Sequence, residues 1–350
     1  MRTSDGEPTQ TTTASRISQI RSLAQRAGLD GFLLAVAGMI LLAYLWPAGG
    51  IQEGPLSLSR IANYGVTLIF FFYGLRLNLD KLRAGLSNWR LHLLVHVTTF
   101  LVFPLLVLAV WKVFATENQS LLWLGAFYVA ALPSTVSSSV VMVSIAGGNL
   151  PAAIFNASIS SLIGVFITPL WMGLFMSTSS LEFDLWPVIG KLTLQVLLPV
   201  VLGLLLNKRF GGFAERNRKY IRYFDQSVIL LIVYTSFCES FARDMFAGYS
   251  VWDLIALSVL MLALFFLVYG ITHLASTLQG FNREDRITAL FCGSKKSLVQ
   301  GSVMAKVLFP DATVVGIVLL PIMVYHALQL IAASVIAQSM ARRSGRLANE

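Results

Sequence analysis

Residues 287–308 read ITALFCGSKKSLVQGSVMAKVL, a run long and apolar enough to cross a bilayer, yet Lys295 and Lys296 stand side by side in its middle. A charge at that depth costs at least about 2.5–3.5 kcal/mol on insertion scales, so backbone, a partner or water must receive it. Gly293, Ser294 and Ser297 flank the pair. Small and hydroxylated residues are what an interrupted membrane helix uses to line a polar cavity, and the stretch reads as a transport site.

The rest of the chain agrees with a membrane setting. Of 350 residues, 56% are hydrophobic and 12% charged, against roughly 25% charged in a soluble domain. Apolar runs predict ten spans, at 32–46, 61–75, 91–114, 121–146, 152–176, 188–206, 224–241, 254–276, 287–308 and 313–339. Residues 1–31 form a polar tail with Arg16, Arg21 and Arg26 but no apolar core, which argues against a cleavable signal peptide and for a short interfacial helix at the tail's end. Cys238 and Cys292 both fall inside spans, so no extracellular disulfide framework is expected.

The net charge of +9 would suggest nucleic acid in a soluble protein, but its distribution gives it another meaning. Nineteen of the 26 Lys and Arg lie in the N-terminal tail, in the loops after spans two, six and eight, and in the C-terminal tail 340–350. The opposite loops and their margins hold five: Arg60, Lys112, Lys191, Arg243 and Lys306. Both termini are therefore expected in the cytoplasm of a multi-pass plasma-membrane protein. The densest cluster runs from Lys208 to Arg222. Topology alone explains it, although it could also touch anionic lipid.

The acidic loop Glu182 to Asp184 divides the spans into a first five-helix repeat, 32–177, and a second, 188–339. Because five is odd, the second repeat is inverted relative to the first, and carriers of that kind place their site at the repeat interface. The corresponding spans four and nine are both interrupted. Span four contains Leu132-Pro133-Ser134-Thr135-Val136-Ser137-Ser138-Ser139, where Pro133 removes a helical N–H. Both broken spans lead into proline corners, Gly147 to Pro151 and Phe309 to Asp311, which suit re-entry into the bilayer.

Three strings, ALPSTVSSSVVMVSIAGGN (131–149), AAIFNASISSLIGVFITP (152–169) and FCGSKKSLVQG (291–301), resemble the bile acid:sodium symporter superfamily, specifically its divergent bile-acid-symporter-like branch of YfeH type. The resemblance covers roughly residues 31–339. It implies an all-α fold of ten transmembrane helices as two inverted repeats, with a panel of spans one, two, six and seven. Spans three to five and eight to ten form the core, where broken helices four and nine cross. It also implies sodium ligands at Ser137, Ser138 and Ser139 and among Asn156, Ser158, Ser160 and Ser161. In span nine the family has a Glu followed four residues later by Gln, and this chain departs from it with Cys292 and Lys296.

An ammonium beside a sodium pocket repels the ion and offers donors where it needs acceptors, which puts sodium coupling in doubt. A lysine could occupy the cation position, holding the crossing through Ser and backbone carbonyls. It could instead exchange a proton during the cycle, or bind an anionic substrate with help from half-helix N-termini. Sodium or a proton is thus the candidate coupling ion, and no other cofactor is implied.

Other polar residues carry plainer readings. His92 and His96 share a helix face without a visible third ligand, and are expected to be a packed pair and not a metal site. Glu239 either pairs with Arg243 four residues on or supplies the missing acid. His273 and His326 read as hydrogen-bonded core. No Ser-His-Asp, HExxH or paired-aspartate pattern suggests an enzyme.

The sequence therefore predicts a secondary carrier of a small organic anion, embedded in lipid, working by alternating access. Lys295 and Lys296 would supply charge, with Ser134, Thr135, Ser137, Ser138, Ser139, Asn156, Ser158, Ser161, Cys292, Ser294 and Ser297 around the crossing, and Glu239 as a further candidate. The alternative is a non-transporting membrane regulator on the same fold, docking through the basic loop. No nucleic-acid partner is expected, and no oligomeric state follows.

Overall fold

The computed structural model describes residues 31–52, 54, 56–76, 88–114, 120–178, 190, 193–244, 246–247, 249–309 and 311–347. Every regular element among them is helical. In chain order these are α1 (Gly31–Leu45), α2 (Leu58–Leu75), α3 (Trp89–Val97), α4 (Phe103–Phe114), α5 (Ser120–Ala131), α6 (Ser137–Ala146) and α7 (Leu150–Thr178). There follow α8 (Leu198–Arg216), α9 (Arg218–Ala242), α10 (Val251–Leu278), α11 (Arg283–Gly293), α12 (Leu298–Leu308) and α13 (Ala312–Leu347). Among the described residues, six helical stretches are long and apolar enough to cross a membrane: Leu58–Leu75, Trp89–Val113, Leu150–Met176, Leu194–Arg216, Val251–Leu278 and Val314–Arg342. Shorter apolar helices accompany them.

The expected interruptions in spans four and nine are present. At 10 to 12 residues, α5, α6, α11 and α12 are each only about half as long as a bilayer core requires. Local sequence explains the ends. Ser297 caps α12 by accepting from Gln300 N, and Asn282 caps α11 by accepting from Asp285 N. α6 stops at Gly147, whose φ of 71° suits glycine, and Gly148 N returns to Val143 O in a Schellman-type closure.

Between α3 and α4 the helix widens into a π turn, Thr98–Val102. There Phe103 N reaches back five residues to Thr98 O. The same pattern would pair Thr99 O with the N–H of residue 104, but that residue is proline. Sequence chemistry thus leaves the Thr99 carbonyl free in the middle of an apolar helix.

α2 and α8 pack backbone to backbone. A Cβ at Gly74 would collide with Val200 O, and one at Gly203 with Phe71 O, so both positions need glycine for this approach. Arg76, which caps the end of α2, bridges to Asp225 of α9 at 3.1 Å. At one end of the other helices, the Asp285 carboxylate accepts from Asn88 and Asn149, both at 2.8 Å, which ties the starts of α3, α7 and α11 together. One expectation is corrected: the basic segment between 206 and 224 is not an extended loop. α8 and α9 run through it and meet at Asn217, because Lys, Arg and Glu sustain helix in water beyond the apolar limit of a span. α13 likewise continues past residue 340 to Leu347. The N-terminal tail and Glu182 to Asp184 lie outside the described residues.

Candidate functional site

Where α5 breaks at Pro133, four carbonyls lose their helical partners, and the fold supplies every one of them with a donor from elsewhere. Ala130 O and Leu132 O both accept from Lys296 Nζ at 2.7 Å. Ala131 O accepts from Thr168 Oγ1 at 2.8 Å, and Pro133 O from Ser297 N at 3.0 Å. The freed amide of Ser134 donates to Ser160 Oγ at 2.9 Å. An unpaired buried peptide group costs roughly 1–3 kcal/mol, so these contacts hold the break open at little penalty.

The second break is tied down by α13. Tyr325 and Gln329, one turn apart, face it together. Tyr325 Oη donates to Ser294 O at 2.7 Å. The Gln329 amide accepts from Lys296 N at 2.8 Å and donates to Lys296 O at 2.7 Å. Gln329 is itself oriented by His326 Nδ1 at 2.8 Å. From α5, Tyr128 Oη donates to Gly301 O at 2.6 Å.

Lys296 is the centre of this arrangement. Its third hydrogen bond goes to Thr99 O at 2.8 Å, the carbonyl released by the π turn and Pro104. The ammonium also lies 4.1 Å from the centroid of the Phe103 ring, within cation–π range. Three carbonyls from two helices and an aromatic face saturate its three N–H donors. The side chain is fully buried. This is the setting a bare monovalent cation would need, and an ammonium takes it. With Cys292 a thiol and Lys296 a donor-only ammonium, these two side chains offer no oxygen ligand to a sodium ion.

Lys295 is also fully buried, yet its Nζ has no hydrogen-bond partner among the described residues. The two adjacent lysines are thus chemically different: one saturated, one free.

The remaining candidates divide. Ser139 Oγ donates to Phe291 O at 3.0 Å, Cys292 Sγ lies 4.0 Å from Ala153 O, and Ser134, Ser160 and Ser161 are buried. Thr135 accepts from Ser138 Oγ at 3.4 Å. Asn156 pairs with His92 Nδ1 at 3.0 Å, so His92 is a packed partner of the core; no cluster of three metal-ligating side chains exists among the described residues. Ser294 Oγ and Ser158 Oγ bond to carbonyls of their own helices, at Leu290 and Ile154. Ser158 O accepts from Tyr73 Oη of α2 at 2.9 Å. Ser137 opens α6, and its side chain lies outside the described residues. Glu239 forms the local pair with Arg243 at 2.8 Å, and no hydrogen bond or ion pair among the described residues joins it to the crossing. Thr99, Phe103 and Gln329 were not anticipated. Pro104 inside an apolar run and Gln329 in the interior of span ten were the signals that could have found them.

The model of the SBF-like CPA transporter family, which is of bile acid:sodium symporter type, matches residues 30–342. The chain is similar to the uncharacterized protein PA2026 of Pseudomonas aeruginosa, 40% identical over 314 residues, covering 90% of this chain and 93% of the relative. It is 38% identical over 321 residues to YfeH of Escherichia coli K12, covering 91% and 95%. Sodium/bile acid cotransporter 7 of Mus musculus is 30% identical over 329 residues, covering 91% and 94%. The chain therefore belongs to the SBF-like CPA transporter family, and it is a multi-pass membrane protein of transporter and not enzyme type.

Proposed function

We propose that this family member is a secondary carrier of an organic anion in which the Lys296 ammonium stands where a coupling sodium ion would otherwise bind. The single observation that carries the reading is the set of three carbonyls, Thr99, Ala130 and Leu132, at 2.7–2.8 Å from Lys296 Nζ. In this reading the chain has ten spans in two inverted repeats, 32–177 and 188–339, with both termini in the cytoplasm of the plasma membrane. A panel of spans one, two, six and seven works against the core. The backbone bond from Ser297 to Pro133 supports a crossing of the two broken spans.

The division between the lysines gives the mechanism its shape. Lys296 is a fixed charge that locks α4, α5 and α12 into one rigid body, and so replaces an ion that must bind and leave with one that cannot. Lys295 has donors to spare and would attract the anionic group of the substrate when the panel moves away. Saturable uptake of an organic anion such as cholate into proteoliposomes tests the reading. Uptake should be abolished by Lys295→Ala and should persist without sodium. If no anion in a broad panel is transported or stabilises the protein, the carrier reading fails.

A further inference from the structure

Away from the crossing, a cavity of about 270 Å³ opens between the start of α2 and the π turn Thr193–Leu197 that precedes α8. It is lined by Arg60, Asn63, Tyr64 and Gln195. The first three lie three and four residues apart, so one face of α2 presents a guanidinium, an amide and a phenol together. Gln195 brings a second amide from the facing turn. None of the four side chains makes a hydrogen bond or ion pair among the described residues. Arg60 and Tyr64 are exposed, so the four line an open surface depression, and a guanidinium grouped with amide and phenol donors is what recognition of an oxyanion there requires.

Two further observations single out Arg60. It belongs to the five cations in the segments where Lys and Arg are scarce, so topology does not account for its presence. Its chain neighbour Ser59 accepts a 3.0 Å hydrogen bond from Lys306 near the end of α12, which fixes the start of α2 against that half-helix and so steadies the turn that carries Arg60.

We propose that this cavity is a binding site for an oxyanion head group, held by the Arg60 fork with Asn63, Tyr64 and Gln195 as supporting donors. The volume leaves ample room for a carboxylate or phosphate group. The proposal rests on the carrier reading for its direction: on that reading the cavity faces the outside and would receive a substrate before it reaches the lysines. The phosphate of an outer-leaflet lipid offers the same chemistry from a second source.

Full-length protein in phosphatidylcholine nanodiscs separates the sources. Cholate affinity is titrated, and retention of added phosphatidylglycerol is read by native mass spectrometry. Arg60→Gln should weaken at least one probe about tenfold, and Arg60→Lys about threefold, because it keeps the charge but loses the fork. Asn63→Ala should weaken the same probe. Loss of cholate alone supports a substrate site, and loss of phosphatidylglycerol alone a lipid head-group site. Unchanged binding of both probes in Arg60→Gln and Asn63→Ala overturns the proposal. That result alongside intact wild-type uptake would remove the cavity alone, whereas weakened binding without uptake of any anion would remove the carrier reading alone.

Discussion

The main-chain N–H of Ser297 donates to the carbonyl of Pro133 at 3.0 Å, so the two interrupted spans touch through their own backbones at the points where each helix stops. Neither break could stand alone in an apolar medium, since each would leave peptide groups unpaired. Together they satisfy one another, and Lys296 completes the set. The breaks are consequently features of tertiary structure, although the residues that start them are local.

Lys296→Met keeps the apolar stem and removes the ammonium. Three buried carbonyls then lose their donor, and a loss of at least about 3 kcal/mol in unfolding free energy is expected at roughly 1 kcal/mol or more per group. Reversible denaturation in mixed micelles measures it. Stability equal to wild type would show that the carbonyls find other partners.

Gln329→Leu should cost about 2–4 kcal/mol, because it strips both the acceptor for Lys296 N and the donor for Lys296 O from a buried site. Gln329→Glu keeps one acceptor but sets a carboxylate against the Lys296 carbonyl in a buried site, and should cost at least as much. A loss under about 1 kcal/mol in Gln329→Leu would mean that packing, and not the paired amide, is what matters at this position.

The loop charges predict the orientation. A cysteine replacing Ser180 should react with an impermeant thiol reagent from outside intact cells, and one replacing Gly212, an open position on α8, only from the cytoplasm. Background is low because Cys238 and Cys292 are both buried. The reverse labelling pattern would invert the topology.

Much of the architecture was legible where one residue type carries a large energy. Lys295 and Lys296 in an apolar run announced a polar crossing, and Pro133 with its serines announced a break. The partners of Lys296 were harder to see, since a backbone carbonyl has no sequence signature. Thr99 O becomes available only through the π turn and Pro104, and Ala130 O and Leu132 O only through the break. Gln329 reaches the site across 33 residues of chain. Hydropathy also marks where the bilayer ends and not where a helix ends, which is why the segment around Lys208 to Arg222 was expected as loop and is helical on both sides of Asn217.

The central claim is that an ammonium has taken the place of sodium, and ion replacement at fixed ionic strength tests it most directly, because general screening is then held constant. Anion binding is titrated in sodium and again in a large organic cation, for the wild type and for Cys292→Glu/Lys296→Gln, which installs the oxygen ligands that the resemblance to sodium symporters implies at these positions. The wild type should change by less than about threefold, under ~0.7 kcal/mol, and the double variant should acquire a saturable sodium dependence. A steep, saturable sodium dependence in the wild type would contradict the account.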